Sequence, residues 1–322
     1  MDWTPQITTL CSQLQEHYVF PDVAEQIADV LRERLAGGAY AEIETDEDFA
    51  AAVTADLQTV NGDKHLRLLH SVDEVIEHDA FDLEAYRQEM ALSGYGVARV
   101  ERLPGNVGYL DTRLFHAPEM AGERAAAAMT LVADTDVLLF DVRRNRGGAP
   151  GMVSLICSYL FATGWPQTHL NSIYDRPSGE TMQFWTLPYV PGPRFGPDKP
   201  IYVLTGPETF SGAEELAYDL QTRGRATVVG ERTRGGAHPG GRHRVGPHLK
   251  SAIPTGRAIN PVTGTNWEGV GVVPDIEVPA DKAFDHAYTL ALEHVLGLGE
   301  EGYRRVVAGE ARRALGEQEL SR

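Results

Sequence analysis

Ser211 stands where an apolar run, Ile201 to Thr205, passes through Gly206-Pro207 into an amphipathic stretch carrying Leu216, Ala217 and Leu220. The spacing predicts a strand, a tight turn, and a helix that begins at Ser211 and stops at Gly224. Glu214, three residues on, reads as a capping-box partner. A serine at a strand-to-helix turn has a chemical use. The helix N-terminus offers unpaired N–H groups and partial positive charge where an oxyanion would form. The same serine also fits a plain N-cap, and this segment alone does not choose.

Three further sites carry residues of the right type. In Asn61-Gly-Asp-Lys-His65, a glycine turn ends a helical stretch and a strand-like run follows. His65 is thus displayed at an element boundary, as a base or as a merely exposed histidine. Asp141-Val-Arg143-Arg-Asn-Arg-Gly147-Gly148 ends an apolar strand. Ligands gather at such strand ends in open α/β layers, and paired glycines let a backbone N–H approach a substrate; a simple left-handed turn would read the same. In Asn266-Trp-Glu268-Gly-Val-Gly, Glu268 lies between an aromatic residue and a glycine-punctuated strand, as an orienting carboxylate or a surface ion-pair partner.

The elements around these sites follow from periodicity. Ile7, Leu10 and Leu14, then Val23, Ile27, Val30 and Leu31, then Phe49, Val53 and Leu57 recur at the helical period, so residues 1–72 read as a helical domain. Residues 73–95 are acidic and weakly patterned, as a connection would be. Runs at 97–100, 107–110 and 137–141 read as strands. Helices are expected at about 118–132 and 152–161. The alternation continues to Val229, which argues for an α/β layer over 96–300. Residues 164–200, rich in proline and aromatics, read as a surface insertion. Residues 301–322 read as a charged terminal helix that frays.

Composition narrows the function. Of 322 residues, 42% are hydrophobic and 23% charged, as in ordinary globular proteins. A net charge of −17 disfavours nucleic acid and anionic membranes as partners. Cys11 and Cys157 form no disulfide framework, and no metal-ligand spacing appears, so neither metal nor cofactor is expected. The first residues lack a basic and then apolar leader, and no apolar run approaches the roughly 18 residues of a membrane span. A cytoplasmic protein is the expectation.

Taken together, the motifs resemble the tail-specific (C-terminal processing) serine peptidases. The nearest branch is that of the interphotoreceptor retinoid-binding protein module, with the tricorn protease core more distant. The likeness spans nearly the whole chain. It rests on Gly105-Asn-Val-Gly-Tyr-Leu, Leu139-Phe-Asp-Val-Arg with Gly147-Gly148, Tyr174-Asp-Arg-Pro-Ser, Trp185-Thr-Leu-Pro, Val229-Gly-Glu-Arg-Thr-Arg-Gly-Gly-Ala and Trp267-Glu-Gly-Val-Gly-Val-Val-Pro-Asp. The resemblance implies a crotonase-like (ClpP/crotonase superfamily) α/β core behind an N-terminal helical domain; this chain departs from the family in having no inserted PDZ-like domain between the two. It implies Ser211 as nucleophile and an oxyanion hole from Gly212 and the Gly147-Gly148 turn. Arg143, Tyr174 and Trp185 are the expected substrate-binding residues, although Arg143, with Arg144 and Arg146 beside the glycine turn, equally fits a surface ion pair; a homo-oligomer is compatible with the resemblance.

One departure sets the expected mechanism. Lysine-using members carry their base in the turn after the second strand, where this chain has Thr233-Arg-Gly-Gly236-Ala. The tricorn-like arrangement uses a histidine from the N-terminal part and a late glutamate, which His65 and Glu268 match. The serine preceding the tricorn histidine is replaced by Lys64. A serine hydroxyl needs an adjacent base near neutral pH, a neutral imidazole suits that role, and a carboxylate can orient it. The expected activity is therefore hydrolysis of a peptide, or of another acyl substrate, through an acyl-enzyme on Ser211. A retinoid- or fatty-acid-binding module, and a non-catalytic scaffold, are the competing readings.

Overall fold

The helical periodicity of the N-terminal region is realised as three helices. The computed structural model describes residues 1–76, 83–164 and 166–320, the side chains of 317–320 excepted. Helices α1 (Thr4–His17), α2 (Pro21–Ala36) and α3 (Asp46–Leu57) bury Ile7, Leu10, Leu14, Ile27, Leu31, Phe49, Val53 and Leu57, the residues that define their apolar stripes. Proline opens α1 and α2, where a missing N–H costs nothing. Thr45 caps α3 by accepting from the Asp48 N–H, with three acids in the first turn facing the helix dipole. Trp3 stacks on Phe49 at 3.9 Å, and each such fully buried ring contributes roughly 2–3 kcal/mol.

The chain divides into two compact units. The first contains Met1–Leu83, Ser172–Met182 and Gly236–Ile259. It is more than a helical domain. Strand β1 (Arg67–His70) pairs antiparallel with β10 (Leu249–Pro254), which pairs with β9 (Gly240–Gly246). Val245, Leu249 and Ile253 of that sheet complete the core of the three helices. Here β11 (Gly256–Ile259) also pairs with the 172–175 end of β5 (His169–Asp175).

The second unit holds a six-stranded sheet. Its order is β12 (Ile276–Glu277), β8 (Thr227–Gly230), β7 (Ile201–Thr205), β4 (Val137–Asp141), β3 (Val107–Thr112) and β2 (Val97–Leu103). All neighbours are parallel except β2 and β3. The central strands are apolar along their length because helices cover both faces. Helices α8 (Ala283–Gly297) and α9 (Arg304–Leu320) cover one face, over Val107, Leu139, Leu204 and Val229. Helices α5 (Pro118–Val132), α6 (Pro150–Ser158) and α7 (Gly212–Thr222) pack side by side, with α5 against β3 and α7 against β8.

Several expectations shift. Of the proposed connection, residues 77–82 lie outside the described residues, while Leu83–Leu92 forms a helix, α4. Residue 165 of the 164–200 insertion likewise lies outside them; the remainder contains β5 and β6 (Thr181–Trp185). The terminal helix does not behave as a fraying tail through its first turns. Ala308, Ala311 and Ala314 are buried, Arg304 forks onto Asp136 at 2.7 and 2.8 Å, and Glu310 accepts from Arg102 and the Gly105 N–H. Its fully buried positions are alanines, with Val307 and Leu315 only partly buried beside them, which is why hydrophobic periodicity understates this helix.

Candidate active site

Ser211 lies between β7 and α7 with φ 55° and ψ −122°. That is the conformation of the first central residue of a type II′ turn, which belongs to glycine. A side chain there is strained by about 1–3 kcal/mol and persists only when its surroundings impose it. Much of that constraint comes from Glu214. Its fully buried carboxylate accepts from the Ser211 N–H at 2.8 Å, from the Gly235 N–H at 2.6 Å, and from the Thr233 hydroxyl. The Phe210 N–H is held by the Asn145 carbonyl at 3.1 Å. The Ser211 side chain is half-buried at the head of the helix.

The Gly147-Gly148 turn packs against this elbow. Both residues have positive φ, 97° and 129°. A Cβ on Gly147 would come within 2.7 Å of Gly212 N and Ser211 Cβ, and one on Gly148 within 2.0 Å of the Phe115 carbonyl. Only glycine allows this approach. Asn145 fixes the turn: its Oδ1 accepts the Gly147 N–H at 2.8 Å and its Nδ2 donates to Thr112. The Gly147 N–H is therefore occupied. The N–H groups of Gly148 and Gly212 carry no such partner among the described residues, and Gly148 is exposed.

Glu268 belongs to the same unit and is half-buried. Its N–H donates to Asn266 Oδ1 at 2.9 Å, its neighbour Trp267 packs on Tyr218 of α7, and the Gly269 N–H reaches the Gly235 carbonyl. Gly235 in turn donates to Glu214, so one chain of contacts runs from the Glu268 loop to the Ser211 elbow.

His65 lies in the first unit. Its backbone N–H donates to Asp63 Oδ1 at 3.0 Å, and a ring nitrogen lies within 4.8 Å of an Asp63 oxygen. Asp63 is fully buried. It accepts from Tyr18 at 2.9 Å and from His238 Nδ1 at 2.8 Å. Burial alone would raise this carboxyl; the His238 hydrogen bond and charge, the Tyr18 hydroxyl and the charge on His65 hold it below its ordinary value. Neither Asp63 nor His238 was singled out from sequence. The available signals were Asp63 two residues before His65 and His238 two residues past Gly236.

The expected substrate-binding residues separate. Arg143 is committed elsewhere: Nε and Nη2 fork onto Asp141 at 3.0 and 2.6 Å, and Nη1 donates to the Ala280 carbonyl. That bidentate pair neutralises a buried carboxylate, so the guanidinium is not displayed for a substrate, and the ion-pair reading holds in place of the substrate-binding one. Tyr174 lies in the first unit, half-buried beneath Arg257. Trp185 stacks on His169 at 4.4 Å and lines an apolar groove of about 660 Å³ with Pro118, Gly151, Leu155, Phe184 and Leu187. Gly151, on the groove wall, is three residues past Gly148.

Comparison with known proteins agrees with this architecture. Residues 106–278 match the model of peptidase family S41, and residues 4–91 match that of the N-terminal domain of this peptidase in eukaryotic interphotoreceptor retinoid-binding protein. A Streptomyces coelicolor protein named as a tricorn protease homologue is 28% identical over 204 residues, which cover 59% of this chain and 16% of that protein. The chain thus spans about a sixth of that curated relative. Among solved structures, the photosystem II D1 C-terminal processing protease superposes with a TM-score of 0.54 at 16% identity, covering 87% of this chain and 94% of that one. A Streptococcus agalactiae lipoprotein gives 0.58 at 12% identity (91% and 97%), and the tricorn protease 0.54 at 13% (88% and 35%). At these identities the superpositions establish the fold: an α/β core with a helical N-terminal region. No helix among the described residues is long and apolar enough to cross a membrane.

Proposed function

Because the chain belongs to peptidase family S41, we propose that it is a serine-type, lysine-independent peptidase. Ser211 Oγ attacks the scissile carbonyl as His65 takes its proton. The oxyanion is held by the N–H groups of Gly148 and Gly212. The C–N bond then breaks, the imidazolium returns the proton to the leaving amine, and water activated by the same imidazole releases the acid and restores Ser211. Glu268 orients the imidazole. Trp185 and its groove receive the substrate's apolar side.

The observation that carries this reading is the Ser211 backbone. A capping serine has no need of a glycine-only conformation, whereas a nucleophile displayed at a strained strand-to-helix turn does. The close seat of Gly148 against Gly212 supports the oxyanion assignment. A cytoplasmic setting belongs to the same proposal and is supported by two buried, unpaired cysteines, Cys11 and Cys157.

The test is cleavage of a mixed peptide library followed by mass spectrometry. Wild type is expected to give discrete products that vanish in Ser211→Ala and His65→Ala. Products that persist in Ser211→Ala would remove the nucleophile assignment.

A further inference from the structure

The buried Asp63 carboxylate is a costly feature with no place in the triad. Removing a charge from water is unfavourable unless hydrogen bonds replace the solvent. Here three donors do so, and they come from three separate parts of the first unit. Tyr18 follows α1, the His65 N–H lies in the same turn as Asp63, and His238 precedes β9. The ring is closed by Asn61, whose Nδ2 donates to the Tyr18 hydroxyl at 2.6 Å and whose Oδ1 accepts the Asp63 N–H at 3.3 Å. Phe20 abuts the His238 ring edge-on at 5.3 Å. The Arg176 guanidinium donates to the Tyr18 carbonyl. Within the first unit, the titratable groups against Asp63 are Tyr18, His65 and His238, with Lys64 beside it in the chain.

Such a network over-determines the 61–65 turn. It leaves His65 half-exposed on a rigid mount, with a fixed negative charge within 4.8 Å of its ring. A general base that becomes positive in the transition state is helped by both features.

We infer that Asp63 is the positioning residue for His65: its carboxylate holds the turn that presents the imidazole and stabilises the imidazolium, and His238 clamps that carboxylate in place. The inference rests on His65 as the base. Reciprocity fixes the sign. The positive form of His65 stabilises ionised Asp63, so ionised Asp63 stabilises the positive form of His65 equally. Without the charge, the imidazole is protonated only at lower pH, and it becomes a weaker base.

The experiment is the pH dependence of the second-order rate of labelling by a fluorophosphonate. Wild type, Asp63→Asn, His238→Ala, His238→Gln and His65→Ala are compared, with a thermal melt of each. Asp63→Asn should lower the rate at pH 8 about tenfold or more and move the acid limb to lower pH. His238→Ala should slow labelling in the same direction, and His238→Gln, which can still donate to Asp63, should restore most of the loss. Where Asp63→Asn does not fold, the two His238 variants decide. An Asp63→Asn protein that melts normally with an unchanged acid limb would overturn the inference, as would a His238→Ala rate within twofold of wild type. Loss in His238→Gln as complete as in His65→Ala would also overturn it, by making His238 the base. Unimpaired labelling of His65→Ala would instead overturn the His65 assignment itself.

Discussion

Replacing Ser211 by glycine should make the protein more stable while abolishing its activity. The backbone at 211 has φ 55° and ψ −122°, where any Cβ is strained by about 1–3 kcal/mol. Glycine removes that strain but adds unfolded-state entropy worth about 0.5–1 kcal/mol. The balance is a gain of about 1 kcal/mol, or a rise of roughly 2–4 °C in Tm for a unit of this size. Ser211→Ala is the control. It removes the hydroxyl, keeps the Cβ and therefore keeps the strain. Both variants should be inactive, so the stability difference between them isolates the backbone. Urea titration, with the m value checked for constancy, and calorimetry would both report it. A Ser211→Gly protein no more stable than Ser211→Ala would refute the claim that this turn stores strain at the nucleophile, and with it the observation on which the functional reading leans most.

Other predictions follow from the second unit. Glu215 is fully buried one turn before Asp219 on α7; burial pushes its carboxyl up to about 7, against a hydrogen bond from Asn171. Folding therefore favours its protonated form, and wild-type stability should fall as pH rises from about 4.5 through 7. Asp219, raised by the same burial and by the Glu215 charge, acts in the same direction, so Glu215→Gln should weaken that dependence and stabilise the protein more at pH 8 than at pH 5, read by denaturation at the two pH values. Gly148→Ala forces a Cβ against the Phe115 carbonyl, so fluorophosphonate labelling should drop about 100-fold or more as the oxyanion donor moves. Arg143→Ala leaves Asp141 buried without its guanidinium and should cost about 3–5 kcal/mol, while KM of the folded fraction stays unchanged; a selective rise in KM would restore a substrate role to Arg143.

What was legible in the sequence was local. The three N-terminal helices, the elbow at Ser211, the strand ending at Asp141 and the glycine pair each announce themselves within a dozen residues, by periodicity or by turn chemistry. What was not legible depended on distant pairing. Strands β9 and β10 join the first unit only because β10 pairs with Arg67–His70, about 180 residues earlier, and no periodicity encodes that. Asp63 reads as a surface acid until Tyr18 and His238, 45 and 175 residues away, supply its donors. On α7, Leu216, Ala217 and Leu220 marked one apolar face, yet Glu214, Glu215 and Asp219 are buried as well. A helix packed on several sides hides its polar residues too, and binary pattern cannot foresee where their partners lie. Arg143 looked available beside the glycine turn because its partner, Asp141, is two residues back on a strand, and the fork between them exists only in three dimensions.

The central claim is that Ser211 is an activated nucleophile. The most direct measurement is the intact mass of the purified protein after treatment with a fluorophosphonate, followed by peptide mapping. One adduct per chain is expected, located on Ser211 and absent from Ser211→Ala. An unlabelled wild type with a normal melting transition, or an adduct that persists in Ser211→Ala, would contradict it.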